Sequence, residues 1–284
     1  MKFIKNILSD MHHGIVKHYM LFICPVVLAT IVSADCVKKI NVFLKFEKNV
    51  PAENSFGDIW FCIYGGMEKY IPTQDNPFKF PVIWTTLFVI CALLVLIYPT
   101  KDMLGMGSHV IVAGGSRAKW WFSKVIWNIS ATVIYHGMVS ITIMITCLVV
   151  GIRIRPGLNM NLQNSIYELD NLNEFYMKST IPAAIFILPV LISVAMNLFQ
   201  MTLTFFMNPN YSFMISCFLM IAAAYMLNPV MIYNYAMPLR YTEIYSLGIK
   251  YQYGFVAALA IGVLSVVIGY LRFLKYDIIK KEDN

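Results

Sequence analysis

Long apolar runs separated by charged segments dominate this chain, and they predict a bundle of membrane-spanning helices. A helix needs about 20 consecutive apolar residues to cross the hydrocarbon core of a bilayer. The uncharged stretch at residues 179–239 is too long for one crossing and predicts two, with a turn at residues 207–210, where asparagine and proline interrupt the run. The pattern therefore predicts six transmembrane helices, at residues 18–35, 80–100, 125–152, 180–206, 211–229 and 251–271.

The segment before the first run has a different pattern. Residues 1–17 place apolar side chains at helical spacing and polar side chains on the opposite face. The apolar face comprises Phe3, Ile4, Ile7, Leu8, Met11 and Ile15, and the polar face comprises Lys2, Lys5, Asn6, Ser9 and Asp10. This pattern is typical of an amphipathic helix that lies in the plane of the membrane interface. A disordered basic tail is the alternative interpretation.

A long polar loop follows the first predicted span. We place this outer loop, residues 36–79, outside the cell, and its aromatic-rich part at residues 55–66 predicts a small helix on the membrane surface. Cys36 and Cys62 both fall in the loop and are candidates for a disulfide, with two free thiols as the alternative. The six cysteines of the chain show no CxxC spacing, so the sequence does not predict a zinc or other metal site.

The polar segment at residues 101–124 differs from the others because its charges are nearly all positive. Four basic residues accompany a single acid, namely Lys101, Arg117, Lys119 and Lys124 with Asp102. Short basic segments are retained on the cytoplasmic side of a membrane. Trp120 and Trp121 follow at the depth where indole rings favour the headgroup layer, so we interpret them, with Lys124, as membrane-interface anchors. The segment as a whole is interpreted as a docking surface for a cytoplasmic protein.

Composition supports a membrane assignment for the whole chain. Its residues are 59% hydrophobic and 13% charged, whereas a soluble domain carries about 25% charged residues. The net charge of +7 collects at the ends of apolar runs, which indicates contact with anionic lipid rather than with nucleic acid. Lysine and arginine are equally numerous in the inner and outer segments, but the inner segments are shorter. The higher density of basic residues in the inner segments predicts that both termini lie in the cytoplasm. The apolar runs are spread over the whole chain and predict one membrane domain, residues 1–284.

Catalytic motifs do not stand out. The sequence lacks HExxH, GxSxG and the Walker phosphate loop. No Asp, Glu, Lys or Arg lies deep in an apolar run, although ion-coupled carriers keep such a group at mid-membrane. Asn197 and Gln200 share one helical face and are candidates to line a path, with hydrogen bonding between helices as the alternative. His136 is a candidate proton gate, with a packing role as its alternative. Because the apolar runs carry no such charged group, energy for any transport would enter through a partner.

Short motifs are concentrated between residues 56 and 127. They are Phe56-Gly57-Asp58, Gly65-Gly66, Pro81 with Trp84, Tyr98-Pro99-x-x-Asp102 and Ser116-Arg117-x-Lys119-Trp120-Trp121-x-x-Lys124. With the predicted topology, these motifs resemble the permease subunits of type-2 ATP-binding-cassette (ABC) exporters, in the branch common in Gram-positive bacteria (Firmicutes). The resemblance implies an all-α integral membrane protein with six transmembrane helices, an N-terminal interfacial amphipathic helix and a cytoplasmic coupling helix.

The resemblance also implies partners. A coupling helix at about residues 101–112 would dock in a groove of a separate cytoplasmic ABC ATPase subunit. The implied contacts are Lys101, Asp102, Met103, His109, Arg117 and Lys119. ATP and magnesium would bind that ATPase, so the resemblance implies a transport subunit that is not an enzyme and binds no cofactor itself. One subunit cannot enclose a path, so a second permease, identical or homologous, is implied.

The resemblance leaves the cargo open within one class. The long outer loop at residues 36–79 departs from the compact outer face of the polysaccharide exporters. We therefore expect the cell-membrane protein to export a peptide or another amphiphile, self-protection against antimicrobial peptides included. The alternative functions are a membrane-embedded enzyme that acts on lipid and a scaffold or sensor that transports nothing.

Overall fold

The computed structural model describes residues 2–46, 54–72, 77–112, 115–167 and 182–276. Within these ranges every named element is helical. The α-helices are α1 (Lys2–Met11), α2 (Met20–Phe46), α3 (Phe56–Tyr64), α4 (Val82–Met103), α5 (Met106–Val112), α6 (Arg117–Val150), α7 (Met160–Tyr167), α8 (Ala183–Leu203), α9 (Pro209–Tyr225) and α10 (Tyr251–Leu274). A π-helix occupies His12–Val16, and 3-10 helices occupy Ile232–Ala236 and Pro238–Arg240.

Among the described residues, five helices are long and apolar enough to cross a membrane, namely α2, α4, α6, α8 and α10. This indicates a multi-pass membrane protein, and the prediction of an all-α fold built on several apolar helices is confirmed. Helix α9 is also apolar but has only 17 residues, close to the lower limit of about 17 for a crossing. Five candidate spans are therefore present where the apolar pattern predicts six.

Two helices extend beyond the predicted boundaries because charged residues do not end a helix outside the lipid. Helix α2 continues to Phe46, well past the predicted end at residue 35, and an i,i+4 ion pair of 3.1 Å between Lys39 and Asp35 lies on its exposed surface. Helix α6 begins at Arg117 rather than at residue 125 and ends where Gly151 adopts a left-handed conformation, φ 80°.

The core lies where the long helices meet. Helix α8 packs against α10, α6 and α4, and α2 packs along α6. Large side chains are completely buried at these contacts, among them Trp84, Trp127 and Tyr135. A smaller apolar cluster around Trp121, Phe205 and Phe273 joins α6, the end of α8 and α10.

One end of the bundle is closed by short elements, and we call residues 55–72, 153–167 and 228–250 the cap. The aromatic-rich helix α3 lies inside it with every residue from Gly57 to Tyr64 buried. The prediction of a helix on the membrane surface over residues 55–66 therefore differs from the structure. Hydrogen bonds from the α3 backbone to residues 153–157 hold the helix inward, for example Phe56 N–H to the Arg153 carbonyl at 2.9 Å.

The opposite end contains the basic segment. Helix α6 runs from Arg117, beside the last turn of α10, to the residues that pair with α3 in the cap. Helix α1 packs against α6 and α5 lies between α4 and α6. We call α1, α5 and the adjoining ends of α4, α6 and α10 the basic end.

Candidate functional site

The basic segment folds into a turn and a short helix at the basic end. Helix α4 ends at Met103, and residues 104–105 turn the chain into α5. The Ser108 hydroxyl donates to the Gly105 carbonyl at 2.6 Å and fixes this turn. A helix therefore occupies residues 106–112, inside the range predicted for the coupling helix, and lies directly between two candidate spans.

A buried lysine is the centre of the site. The Lys124 ammonium lies 2.5 Å from a carboxylate oxygen of Asp10 and 2.8 Å from one of Asp102, and the side chain is 1% exposed. These three residues belong to α6, α1 and α4 respectively, so one cation joins three helices. We call them the ion cluster. A buried charge with its partners in place is stable, but loss of one partner is costly.

Polar and aromatic neighbours complete the ion cluster. The Tyr98 hydroxyl donates to Asp10 at 2.8 Å, and the Ser123 hydroxyl donates to the other oxygen of the same carboxylate. The indole N–H of Trp120 donates to Asp102 at 2.8 Å. The rings of Tyr98 and Trp120 also flank the Lys124 ammonium, with centroids at 4.6 and 5.3 Å. Cation–π contact of this kind stabilises a desolvated cation.

Helix α5 touches the ion cluster through a glycine. A Cβ atom added at Gly107 would collide with the Asp102 side chain and would lie 2.7 Å from the Trp120 indole nitrogen. Only glycine permits this close approach of the α5 backbone. Movement of α5 would therefore act directly on the carboxylate and the indole that hold Lys124.

The six residues predicted to contact a partner divide into two groups. Lys101, His109 and Lys119 are exposed at the basic end and are accessible to a docking protein. Asp102 belongs to the ion cluster, and Met103 is half-buried against the smaller apolar cluster. The remaining residue, Arg117, is bonded to α10.

Arg117 caps the last turn of α10. Its guanidinium donates to the carbonyls of Phe273, Leu274 and Tyr276 at 2.9, 3.0 and 2.7 Å. Terminal carbonyls of a helix lack intrahelical partners and carry partial negative charge, so a cation there satisfies both needs. Arg117 thus connects the start of α6 to the end of the last described helix.

The predicted membrane anchors lie inside the protein. Trp121 is fully buried, and its indole N–H donates to the Val266 carbonyl of α10 at 3.1 Å. Gly269 of α10 leaves the space that the Trp121 ring occupies. Trp120 and Lys124 are also buried. Trp120 bonds to Asp102, and Lys124 is paired with Asp10 and Asp102. Contacts with the protein therefore replace the lipid headgroup contacts predicted for all three residues.

The candidate path residues form hydrogen bonds between helices. Asn197 donates to the Thr132 hydroxyl at 3.0 Å and accepts from Asn128 through its backbone carbonyl at 3.3 Å. Gln200 donates to the Ala92 carbonyl of α4 at 3.2 Å. Both side chains are buried. Their geometry corresponds to the alternative interpretation, in which amides bond α8 to its neighbours.

His136 has a comparable position nearer the cap. Its Nδ1 atom lies 2.8 Å from the Tyr64 hydroxyl of α3, and the imidazole is buried against Phe88. The ring therefore joins α6 to the cap and serves the packing role that was the alternative to a proton gate.

Two charged residues of the cap have no counterpart among the predicted site residues. Asp58 is fully buried and accepts from the backbone N–H groups of Ser55 and Asn159 at 2.9 and 2.7 Å and from the Gln163 amide at 3.1 Å. Burial raises the pKa of Asp58 above its ordinary value of 3.8, against these hydrogen bonds, which lower it. Phe56-Gly57-Asp58 was one of the quoted motifs, but the sequence alone did not indicate that its acid is buried.

Arg240 is the second charged residue of the cap that has no counterpart among the predicted site residues. It is fully buried and donates to backbone carbonyls of the cap, at 2.9 Å to Met67 and 3.1 Å to Glu68, and of α9, at 2.5 Å to Ala223 and 2.7 Å to Ala224. Its guanidinium also donates to the Asn234 side chain. Burial lowers the pKa of Arg240 to about 9, which leaves it charged at neutral pH. The one sequence signal is its position as the first charge after residues 179–239.

Cys36 and Cys62 are joined by a disulfide that links α2 to α3. The extension of α2 past the predicted end of the first span brings its cysteine level with the cap.

Comparisons of the chain with family models, with curated proteins and with solved structures find no match. The features available for a functional conclusion are therefore the apolar helices, the ion cluster, the exposed cations around α5 and the closed cap.

Proposed function

We propose that this chain is the permease subunit of a type-2 ABC exporter, which moves a peptide or another amphiphile with energy from a separate ATPase. The observation that carries the proposal is the position of α5. This short helix connects two candidate spans, carries exposed His109 and lies between exposed Lys101 and Lys119. It also touches the ion cluster through Gly107. Such a helix can receive force from a cytoplasmic protein and transmit it to the bundle.

The ion cluster supports a specific route for that force. Displacement of α5 presses on Asp102 and Trp120, and these side chains hold Lys124 of α6. Lys124 in turn holds Asp10 of α1. Packed interiors switch between discrete arrangements rather than deform gradually. ATP-driven closure of the partner would therefore tilt α4 and α6 together with α1 as one unit.

The proposal includes six spans, with α9 as the fifth in chain order. At 17 residues α9 is short, and a segment whose residues 232–241 are all buried follows it. The proposed topology places the basic end and both termini in the cytoplasm and the cap outside the cell. The Cys36–Cys62 disulfide supports this orientation, because disulfides persist in oxidising compartments and are rare in the cytosol.

A second permease completes the proposed path. The polar side chains of the spans, Asn128, Asn197 and Gln200 among them, bond to other helices of the same chain. A path within one subunit would have to break these bonds. The path is therefore proposed to lie between two permeases, each facing the other with apolar and hydroxyl-bearing surfaces.

Affinity purification of the full chain from its native membranes tests the docking proposal. We expect an ABC ATPase, identified by its Walker motifs, to co-purify and to hydrolyse ATP. The double variant Lys101→Glu, Lys119→Glu reverses two exposed charges and should lower ATPase recovery about tenfold, since each lost charge contact at an interface contributes about 0.2–1 kcal/mol and reversal adds repulsion.

The matched control is Lys45→Glu, which reverses an exposed charge at the far end of α2. It should leave ATPase recovery unchanged. Absence of any ABC ATPase from the native preparation, or full recovery with the double variant, would contradict the proposal. Asp102 and Arg117 are unsuitable for this test because their substitution would also disturb the ion cluster and the end of α10.

A further inference from the structure

The cap contains a cavity that the proposed transport cycle does not use. Its volume is about 440 Å³, within the range of about 300–1,000 Å³ that is usual for small-molecule sites. Four parts of the chain line it, namely residues 62–70 at and after the end of α3, residues 77–84 at the start of α4, the end of α7 and Leu239. Four aromatic side chains line it, namely Tyr70, Phe80, Trp84 and Tyr167, together with aliphatic side chains such as Ile63, Val82 and Ile83.

Hydrogen bonds to the lining residues fix the walls of the cavity. Arg240 donates to the Met67 and Glu68 carbonyls, and the Leu239 N–H donates to the Gly65 carbonyl at 3.1 Å. On the opposite wall the Trp84 indole N–H donates to the Ala236 carbonyl at 2.8 Å. The Cys36–Cys62 disulfide lies at the start of the wall formed by residues 62–70. Fixed walls lower the ordering cost of binding, which is the property of a preformed site.

The mouth of the cavity faces the position where lipid would meet α4. Val82 and Ile83 line it and are 62% and 37% exposed, in the first turn of a candidate span. Phe80 is also exposed beside them. An apolar chain could therefore enter sideways from a bilayer past these three apolar side chains.

The charged groups of the lining indicate what the other end of a ligand carries. Among the described residues, two lysines and one acid line the cavity, namely Lys69, Lys79 and Glu68. Phosphate, sulfate and carboxylate groups are the complement of such a pair of lysines. We propose that the cavity binds a single-chain anionic amphiphile, with its tail among the aromatic and aliphatic side chains and its head at the lysines. This binding does not depend on the ATPase or on the proposed export activity.

Photolabelling of the full chain in nanodiscs of phosphatidylcholine tests the inference. The probe is myristic acid with a diazirine at its tail, and mass spectrometry locates the adducts. We expect adducts on residues 62–70 and 77–84. Tetradecyl phosphate should compete with the probe, whereas the cationic tetradecyltrimethylammonium should not.

Two variants address the two parts of the site separately. Lys69→Gln removes a head contact and should lower labelling about fivefold, the effect of one lysine on an anionic lipid group. Val82→Trp places an indole at the mouth and should abolish labelling of residues 77–84. Both side chains are partly or fully accessible, so the fold should tolerate the changes.

Matched controls distinguish these effects from general ones. Lys250→Gln neutralises an exposed lysine that does not line the cavity, and Leu93→Trp adds an indole to an exposed position of α4 away from the mouth. Neither should change the labelling. Adducts confined to the lipid-facing sides of the long helices, equal labelling of Val82→Trp, or equal competition by the cationic amphiphile would overturn the inference.

Discussion

Lys124 shows how a residue in a basic loop can become part of the interior. It comes two turns into α6, where the Asp10 carboxylate arrives from a helix 114 positions earlier in the chain. Asp102 approaches from α4, and the aromatic rings of Tyr98 and Trp120 exclude water. Two carboxylates around one ammonium leave the cluster with net negative charge if all three are ionised. The lysine is therefore required to hold the two partly buried acids close together.

Replacement of this lysine should be costly. Lys124→Met keeps the length of the side chain but removes the charge, and breaking a buried pair in this way costs about 3 kcal/mol. We expect the thermal unfolding midpoint, followed by tryptophan fluorescence in detergent, to fall clearly. Adding Asp10→Asn should recover part of the loss because one uncompensated acid is removed. Lys119→Met, at an exposed position of the same helix, is the control, and equal stability of the two single variants would disprove the role of the cluster.

Asp58 presents the opposite situation, because no cation is among the groups that bond to its carboxylate in the hydrogen bonds described above. Burial raises its pKa above 3.8, so the folded protein binds a proton at this site more readily than the unfolded chain does. The contribution of Asp58 to stability is therefore fully present below about pH 3.8 and is lost as the pH rises through the raised pKa.

Comparison with Asp58→Asn isolates this contribution. The asparagine does not titrate, so the unfolding free energy of the natural protein should fall relative to that of the variant as the pH rises from about 4 towards neutral. Urea unfolding at a series of pH values measures the difference. A difference that stayed constant, or that grew in favour of the natural protein with rising pH, would be inconsistent with a raised pKa.

At the scale of elements, α3 shows why a short aromatic helix lies inside the cap. Its N-terminus has a capping box, with Asp58 accepting from the Ser55 N–H at 2.9 Å. Gly57 brings the helix backbone against the Gly157 carbonyl, and its N–H donates to the Arg155 carbonyl at 3.3 Å. Stacking of Trp60 on Tyr64, with centroids 4.5 Å apart, then fills the interior. Backbone contact, rather than the aromatic side chains alone, sets the depth of the helix.

This contact makes Gly57 sensitive to substitution. A Cβ atom there would collide with the Gly157 carbonyl, which is backbone and cannot rotate away. We expect Gly57→Ala to destabilise the cap by about 2 kcal/mol, a typical cost of overpacking, and to speed hydrogen exchange of α3. Gly137→Ala in α6 is the matched control, because no atom lies within 4 Å of the added Cβ. Equal exchange of α3 in the two variants would refute the contact.

The whole molecule has two differently built ends joined by long helices. The basic end is held by charge, through the ion cluster and the Arg117 cap on α10. The cap is held by Arg240, the α3 contacts and the disulfide, which closes a loop with a sequence separation of 26. A loop of this length gives a stabilisation of about 3 kcal/mol in the chain-entropy account. A docked partner could therefore move the basic end while the cap stays rigid.

Thiol labelling of intact cells and inverted vesicles tests both ends at once. A membrane-impermeant maleimide should label, in intact cells, a cysteine introduced at an exposed position of the cap by Lys250→Cys, and should not label the disulfide-bonded Cys36 and Cys62. A cysteine introduced by Lys119→Cys should react only in inverted vesicles. Cys24, Cys91, Cys147 and Cys217 lie in apolar helices and are buried or half-buried, so they should contribute little background. Labelling of position 119 from outside would reverse the proposed orientation.

The apolar helices could be predicted because their signal is local. Uncharged runs of about 20 residues specify a helix in lipid whatever they pack against, and the predicted second and last spans differ from α4 and α10 by only a few residues. The same reasoning failed at residues 36–46, where charges were taken to mark the end of a helix. A helix outside the bilayer tolerates charges, so only its contacts decide where it stops.

The sequence by itself determined the all-helical class, the presence of several long apolar helices and the position of the basic segment between two of them. Tertiary structure alone decided which charged residues and tryptophans take part in contacts inside the protein. Asp10 was assigned to a polar face, Lys124 and two tryptophans to the lipid interface, and Arg240 to no site at all. Burial of a charge depends on a partner that arrives from a distant part of the chain, and periodicity within a segment carries no information about that partner.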